Sequence, residues 1–317
     1  MTQTHILLLG AHGKVSKKMI PLFLEKSWSV TALIRNGDEK QKNDQKKELE
    51  SIGKKVTKPN DTVTLDVLYH NLSDVKTSKD AAEVIKRASA AKPVTWIVWS
   101  AGSGGKGDTK EKANALTNAI DRDAAIAFAH AATHSTQIER YLTVSAINAR
   151  HAKAVWWGKG AQEVLNKGLT DHWPGGMKTY TLAKLAADDC LTVWGKERQE
   201  KDKDFKFVVL RPGALDGTPS AEAEAVAGDI QLGRAELEHA KQVSRDDVAK
   251  TAVALLDNGA NGYFDLMEAV KVNGKEIGGS IANEVNRVIK DGEKAQSLED
   301  DKADEMKKTV QMFAANW

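Results

Sequence analysis

The sequence has a single cysteine, Cys190, in 317 residues. No internal disulfide and no cysteine-built zinc site can form from it, which suits a reducing compartment. Within "LAADDCLTV" a small buried helix residue explains Cys190 better than a nucleophile does. An excess of one charge is also lacking. The 46 Lys and Arg against 44 Asp and Glu leave a net charge of +2, so no global field recruits nucleic acid. Lysine clusters such as "KKELESIGKK" alternate with acids, the pattern of a solvated helix face more than of a basic interaction patch. No apolar run reaches the length of a membrane span. The apolar N-terminal stretch has no basic region before it and no small-residue cleavage site after it. The histidines, His151 and His172 among them, show no metal-ligand spacing. A soluble cytoplasmic protein that holds no metal and binds neither nucleic acid nor membrane is the expectation.

What is present is a regular alternation of patterns. Residues 5–9 are a short apolar run ending at a glycine turn, and 14–24 carry Val15, Met19, Leu22 and Phe23 at helical spacing. "WSVTALIRN" (28–36), "TVTLDVLYHNL" (62–72), "VTWIVWSAG" (94–102), "RYLTVSAIN" (140–148) and "FKFVVLRPG" (205–213) read as strands. Helical patterns fall between them at 79–90, 123–132 and 180–194, and the charged stretch 37–60 is helical in part. Strands and helices taking turns in this way predict a parallel sheet covered on both faces. The fold class is therefore α/β, a Rossmann-type doubly wound parallel sheet with substrate-side insertions and a C-terminal helical extension. One domain over 1–317 fits, with a core of about 4–270 and an extension over 271–317, either a packed terminal helix or a mobile arm.

The first turn, "ILLLGAHGKVS", has glycines at 10 and 13 and a serine at 16. In a phosphate-binding turn the first glycine allows the tight bend and the second lets the backbone approach a pyrophosphate. The third lets the helix pack on the strand. Ser16 thus replaces only the packing glycine, and free amides at the helix start can still bind an anion. The second strand ends in Arg35-Asn36 with no acid at its tip. An acid there selects a ribose hydroxyl, whereas arginine accommodates a 2′-phosphate, so NADP(H) is favoured over NAD unless Arg35 is a plain surface arginine. His12 and Lys14 are positioned to add charge or hydrogen bonds. "SAGSGGKG" (100–107) closes the fourth strand, where it is either a cofactor loop or a flexible surface loop. Tyr180 and Lys184 are four apart on one helix, hence on one face. A lysine beside a phenol stabilises the phenolate and lowers the tyrosine pKa, and Ser145 can hydrogen-bond the same substrate oxygen.

The ordered series "GAHGKVS", "LIRN", "WSAGSGGKG", "DRDAA", "LTVSA", "YTLAK", "LRPG" and "VSRDDVA" resembles the atypical short-chain dehydrogenase/reductase superfamily over about 4–270. More closely, it is similar to the NAD(P)H-binding group of biliverdin reductase B-like flavin reductases and uncharacterised fungal oxidoreductases. The resemblance implies NADP(H) across the strand ends. Gly10, Gly13, Lys14 and Val15 would meet the pyrophosphate, Arg35 the 2′-phosphate, and Asn71 and Leu72 the adenine. Ser100, Ala101 and Gly102 would line the cofactor, and Pro212 and Gly213 would lie near the nicotinamide. Ser145, Tyr180 and Lys184 would take the acid–base positions.

Trp156, Trp157 and Trp173 precede the Tyr180 helix, as the wall of an apolar substrate pocket or as core anchors. Ser244 reads as a helix N-cap with Asp247 three residues on, and Arg245 and Asp246 as an ion pair holding that helix. The leading expectation is an NADP(H)-dependent oxidoreductase acting on a carbonyl or conjugated small molecule, with Tyr180 as proton donor. An isomerase, dehydratase or ring-opening enzyme on the same fold is the alternative. So is an NADP(H)-sensing regulatory protein.

Overall fold

The apolar runs become strands because each is short, rich in branched residues and bounded by turn formers. The computed structural model describes residues 3–56, 62–158, 177–215, 224–240, 242–290, 292 and 302–314. In it β1 (His5–Leu9), β2 (Ser29–Ile34), β3 (Leu65–Tyr69), β4 (Trp96–Trp99), β5 (Arg140–Val144) and β6 (Lys206–Pro212) are parallel neighbours. Their spatial order is β3-β2-β1-β4-β5-β6, reversing between β1 and β4. This is the expected Rossmann-type sheet, and ligands of such sheets sit at the carboxyl ends of the strands where the order reverses.

Both faces of β1, β2, β4 and β6 are buried, so they read as continuous apolar runs. Successive side chains still go to opposite layers. Ile6 and Leu8 join the layer of α1 (Ser16–Glu25), α2 (Glu39–Lys54) and, later in the chain, α7 (Arg245–Asp257). Leu7 and Leu9 join the opposite layer, made by α3 (Ser78–Ala88), α5 (Ala125–Thr133) and α6 (Met177–Lys201). Between α4 (Lys110–Thr117) and α5 the helix widens into a π-helical segment, Asn118–Ala124.

Beyond β6 the structure departs from a purely parallel sheet. The short strands β7 (Ala214–Leu215) and β9 (Gln242–Val243) pair apart from it, while β8 (Glu224–Gly233) runs antiparallel to β10 (Gly262–Val272). β10 is itself parallel to β6, so it joins the antiparallel strands to the Rossmann sheet. The extension is also not purely helical. It opens with β11 (Lys275–Ile277) folded back on β10 and β12 (Gly279–Ser280) along β8. Among the described residues two helices follow, α8 (Ile281–Lys290) and α9 (Ala303–Ala314), and both are packed. Glu284 accepts a hydrogen bond from the backbone N–H of Leu232 (3.1 Å), and Arg287 donates to the Leu232 carbonyl (2.7 Å). α9 lies on α6 through buried Met306 and through Thr309, whose hydroxyl donates to Asp189 (2.8 Å), and on the π-helical segment through Phe313 under the Arg122 guanidinium.

Ser244 caps α7, accepting from the N–H of Asp247 (3.0 Å). The ion pairs of Asp246 are with Lys18 (3.4 Å) and Lys250 (2.6 Å) rather than with Arg245, because the helical i,i+4 spacing and the neighbouring α1 bring those lysines to it. Cys190 is fully buried and its thiol is pushed up by that burial, the state of an inert core residue.

Candidate cofactor and acid–base site

Gly10 ends β1 with a φ of +79°, and a Cβ there would lie 2.6 Å from the Cα of Ala101. Only glycine satisfies both the left-handed conformation and the close passage of the β4 tip. Ser16, in the place of the packing glycine, is buried and donates its hydroxyl to the Gly10 carbonyl (2.9 Å). The serine therefore closes the turn itself. α1 starts at Ser16 without a side-chain cap, and the amides of Lys17 and Lys18 donate to the carbonyls of Gly13 (3.0 Å) and Val15 (2.9 Å).

At this edge lies a cavity of about 610 Å³. Its walls include Gly10, His12 and Gly13, then Arg35, Asn71 and Leu72, then Ser100, Ala101 and Gly102, all read from the sequence as cofactor residues. Gln45, His70 and Lys106 also line it, and among the described residues no Asp or Glu does. Arg35 is exposed and makes no ion pair among the described residues. Asn71 accepts from the backbone N–H of Asn36 (3.0 Å), tying the β3 tip to the β2 tip. His12 is engaged with Glu48 (2.6 Å), which Lys17 and then His12 hold below the usual carboxylate range. Lys14 is exposed and lines a separate groove with Lys17, Lys18 and Arg245, so its side chain is outside the main cavity; Val15 is buried in the core. A dinucleotide fits these walls in one further respect. Nε2 of His70 and Oε1 of Gln45 are shielded from solvent and hydrogen-bond nothing among the described residues, donors and acceptors that a polar ligand would satisfy.

The acid–base residues sit deeper. Lys184 is buried on α6 and its ammonium donates to the Val144 carbonyl at the end of β5 (2.8 Å). Burial pulls its pKa down, with Asp121 and Asp188 opposing. Ser145 is buried and donates its hydroxyl to Asp188 (2.6 Å), which also accepts from Arg211 Nε (3.2 Å). Burial raises the Asp188 carboxyl to about 6 against the pull of Arg211 and Ser145. The Tyr180 phenol is pushed up from its ordinary value, first by burial and then by Asp121 and Asp188. A lysine-lowered tyrosine is thus corrected: two carboxylates flank the lysine, and its ammonium is held by a carbonyl.

The tryptophans are sorted by burial. Trp157 is fully buried, and its indole N–H donates to Asp265 (3.4 Å), as does that of Trp156 (3.2 Å). Asp265 is also ion-paired with Arg150 inside the protein. Trp157 is therefore a core anchor and not a pocket wall, because a buried carboxylate needs those donors. Trp156 remains half-buried between Arg150 and Arg234, and Trp173 lies outside the described residues. Pro212 ends β6 and accepts from the N–H of Ile147 (2.9 Å), and Gly213 donates to Leu266 (3.0 Å), so both are fixed at the carboxyl end of the sheet.

The NAD(P)H-binding family model matches residues 10–259, most of the chain. The chain belongs to the NAD(P)H-binding family. Among curated relatives, the uncharacterized sugar epimerase YhfK of Bacillus subtilis (strain 168) is 28% identical over 266 residues, covering 83% of this chain and 94% of that one. A Bacillus halodurans structure, named provisionally as an NAD-dependent epimerase/dehydratase, superposes with a TM-score of 0.56 at 22% identity, over 90% of this chain and 99% of that one. The protein BdcA in complex with NADPH gives a TM-score of 0.51 at 14% identity, over 84% and 94%. The two structural likenesses concern the fold.

Within this family frame, three charged residues went unassigned from sequence. Asp188 had a signal, since Tyr180, Lys184 and Asp188 repeat at four-residue steps on one helix face. Asp121 had a weaker one, an acid two residues before the apolar helical run 123–132. It is fully buried in the π-helical segment, which turns it inward. Its Oδ2 accepts from the N–H of Ser103 (2.9 Å), while Oδ1 has no partner among the described residues. Arg211 carried no signal inside an apolar strand.

Proposed function

We propose that the protein is an NADP(H)-dependent oxidoreductase that reduces a carbonyl or conjugated small molecule, with Tyr180 as the proton donor. The observation that carries this reading is the cavity lining. It offers Arg35, Lys106, His12 and His70 and, among the described residues, no carboxylate, an environment for the extra phosphate of NADP(H) and not for selection of an unphosphorylated ribose. A bound nicotinamide would supply the hydride. Gly10 and Gly13 bring backbone to the pyrophosphate, Asn71 and Leu72 border the adenine, and Ser100, Ala101 and Gly102 form the inner wall. Pro212 and Gly213 stand at the nicotinamide end.

The raised Tyr180 pKa bears on direction. A phenol held above its ordinary pKa is protonated at neutral pH. That is the form needed to give a proton to an oxygen gaining charge as hydride adds to its carbon. Lys184 is fixed by its hydrogen bond to the Val144 carbonyl, with burial pulling its pKa down. Ser145 gives its own proton to Asp188, so toward the reaction it offers only lone pairs. Trp156 is the remaining described aromatic for the substrate side.

The 28% identity to a protein named as a sugar epimerase favours a second reading, a reaction on the same fold with no net consumption of cofactor. The test is fluorescence titration of nucleotide-stripped protein with NADPH and NADH. NADPH should bind at least tenfold more tightly; equal affinities would sink the NADP(H) reading, and binding of neither would leave the glycine turn without a dinucleotide. Tyr180→Phe should leave NADPH affinity within about twofold while carbonyl turnover falls by about 10²-fold or more, the size of a general-acid contribution. Unchanged turnover would remove Tyr180 from the mechanism. Product formed without NADPH oxidation would identify the second reading.

A further inference from the structure

Two unpartnered atoms share one corner of the cavity. His70 follows β3 directly and donates its backbone N–H to the Ile34 carbonyl at the end of β2 (3.0 Å). Gln45 belongs to α2, the helix that begins just after the β2 tip bearing Arg35. Three elements therefore converge there, each contributing one side chain able to donate to an oxyanion. Nε2 of His70 and Oε1 of Gln45 are both shut off from solvent, and neither has a hydrogen bond among the described residues. An orphaned buried polar atom is costly, and both belong to residues that line one ligand-sized cavity with no Asp or Glu among its described lining residues; the imidazole N–H and, once the carboxamide is turned, the Gln45 amide are donors for an anion there.

We propose, resting on the NADP(H) reading above, that His70 and Gln45 complete the 2′-phosphate pocket opened by Arg35, and that His70 makes its affinity pH-dependent. Arg35 supplies the exposed guanidinium. His70 supplies an enclosed imidazole N–H, and Gln45 turns its carboxamide so that the amide donates. Arg87 of α3 lowers the His70 pKa in addition to burial, while Asp74 and Asp80 oppose it. From α2, Lys42 lies over the neighbouring Tyr69 ring, and Lys106 and Arg35 add positive charge from the cavity wall. The free protein therefore holds His70 neutral near pH 7. A phosphate dianion beside it favours the imidazolium, so binding raises its pKa. By linkage the affinity is greatest at low pH and is lost as pH rises through the bound-state value.

The experiment is calorimetric titration of the full chain with 2′,5′-ADP and with 5′-ADP, probes that differ in the phosphate at issue. Wild type, His70→Ala, His70→Gln and Gln45→Ala are compared from about pH 6 to about pH 8.5, across the histidine range. Wild type should prefer 2′,5′-ADP, increasingly so toward low pH. His70→Ala should weaken 2′,5′-ADP about tenfold at the acid end, the scale of one charged hydrogen bond, with 5′-ADP unchanged. The wild-type to variant ratio cancels the phosphate's own titration. His70→Gln, which keeps a donor, should recover part of the affinity without the pH dependence, and Gln45→Ala should weaken 2′,5′-ADP alone. Equal losses for both probes would assign His70 to the adenosine and overturn the proposal, as would an unchanged 2′,5′-ADP affinity in the His70 variants. A wild type that binds both probes equally would instead mean that the NADP(H) reading itself has failed, and this proposal with it.

Discussion

At the residue scale, the acid–base centre is a buried charge cluster in which each group alters its neighbours. Asp121 shows this most directly. Burial holds its carboxyl above the ordinary range, against the opposing pull of Lys184 and the hydrogen bonds from Ser103. The folded state therefore binds that proton more tightly than the unfolded chain. The stability it contributes belongs to the acid form, is present at low pH, and is lost as pH rises from the ordinary carboxylate range through the raised folded value. Asn at this position keeps an oxygen for the Ser103 N–H and has no charge to bury. Asp121→Asn should accordingly gain stability relative to wild type as pH rises, with a larger gain at about pH 8 than at about pH 5. Urea midpoints at the two pH values measure it. A variant that is relatively less stable at the higher pH would show that the attraction to Lys184 outweighs desolvation. Loss of that carboxylate also removes one of the two charges that raise the Tyr180 phenol.

At the element scale, legibility followed from how local the determining physics is. β1, β2, β4 and β6 are apolar runs bounded by turn residues, so they were read to within a few positions. α6 was read too short, as 180–194 against Met177–Lys201, because its C-terminal turns are charged and partly exposed. The π-helical segment had no signature, since a single extra residue in a helical turn leaves the apolar spacing almost unchanged. β8 was missed for a different reason. Its "EAVAGDIQLG" carries two glycines, two acids and a glutamine, and it becomes a strand through pairing with β10, whose register shifts between Glu268 and Ala269. The glycine turn was readable because a left-handed conformation and a close backbone passage fix residue type at Gly10. The hydrogen-bond directions of Ser145 and Lys184 were not, since they depend on Asp188 and Val144, 43 and 40 residues away.

At the scale of the whole molecule, the cofactor cavity exists only when distant segments meet. Gly10, Arg35, Asn71 and Ala101 come from four strand ends, and the sheet that aligns them continues through β6 and β10 to β8. The unfolded chain presents no such arrangement, so a bound dinucleotide stabilises the folded form by mass action. At 100 times its dissociation constant the gain is about 2.7 kcal/mol. Unfolding entropy of about 2.1 cal/mol/K per residue amounts to roughly 0.7 kcal/mol/K for a 317-residue chain that melts as one unit. The expected rise in Tm is then about 4 °C for NADPH, with a much smaller rise for NADH at the same concentration. Differential scanning calorimetry checks both the size and the number of transitions. A single transition shifted by that amount fits one cooperative unit, as the side-by-side pairing of β6 and β10 requires. Two transitions, with only one responding to NADPH and by a larger interval, would mean that the parallel strands and the antiparallel edge melt separately. The entropy that sets the shift would then be that of the smaller unit.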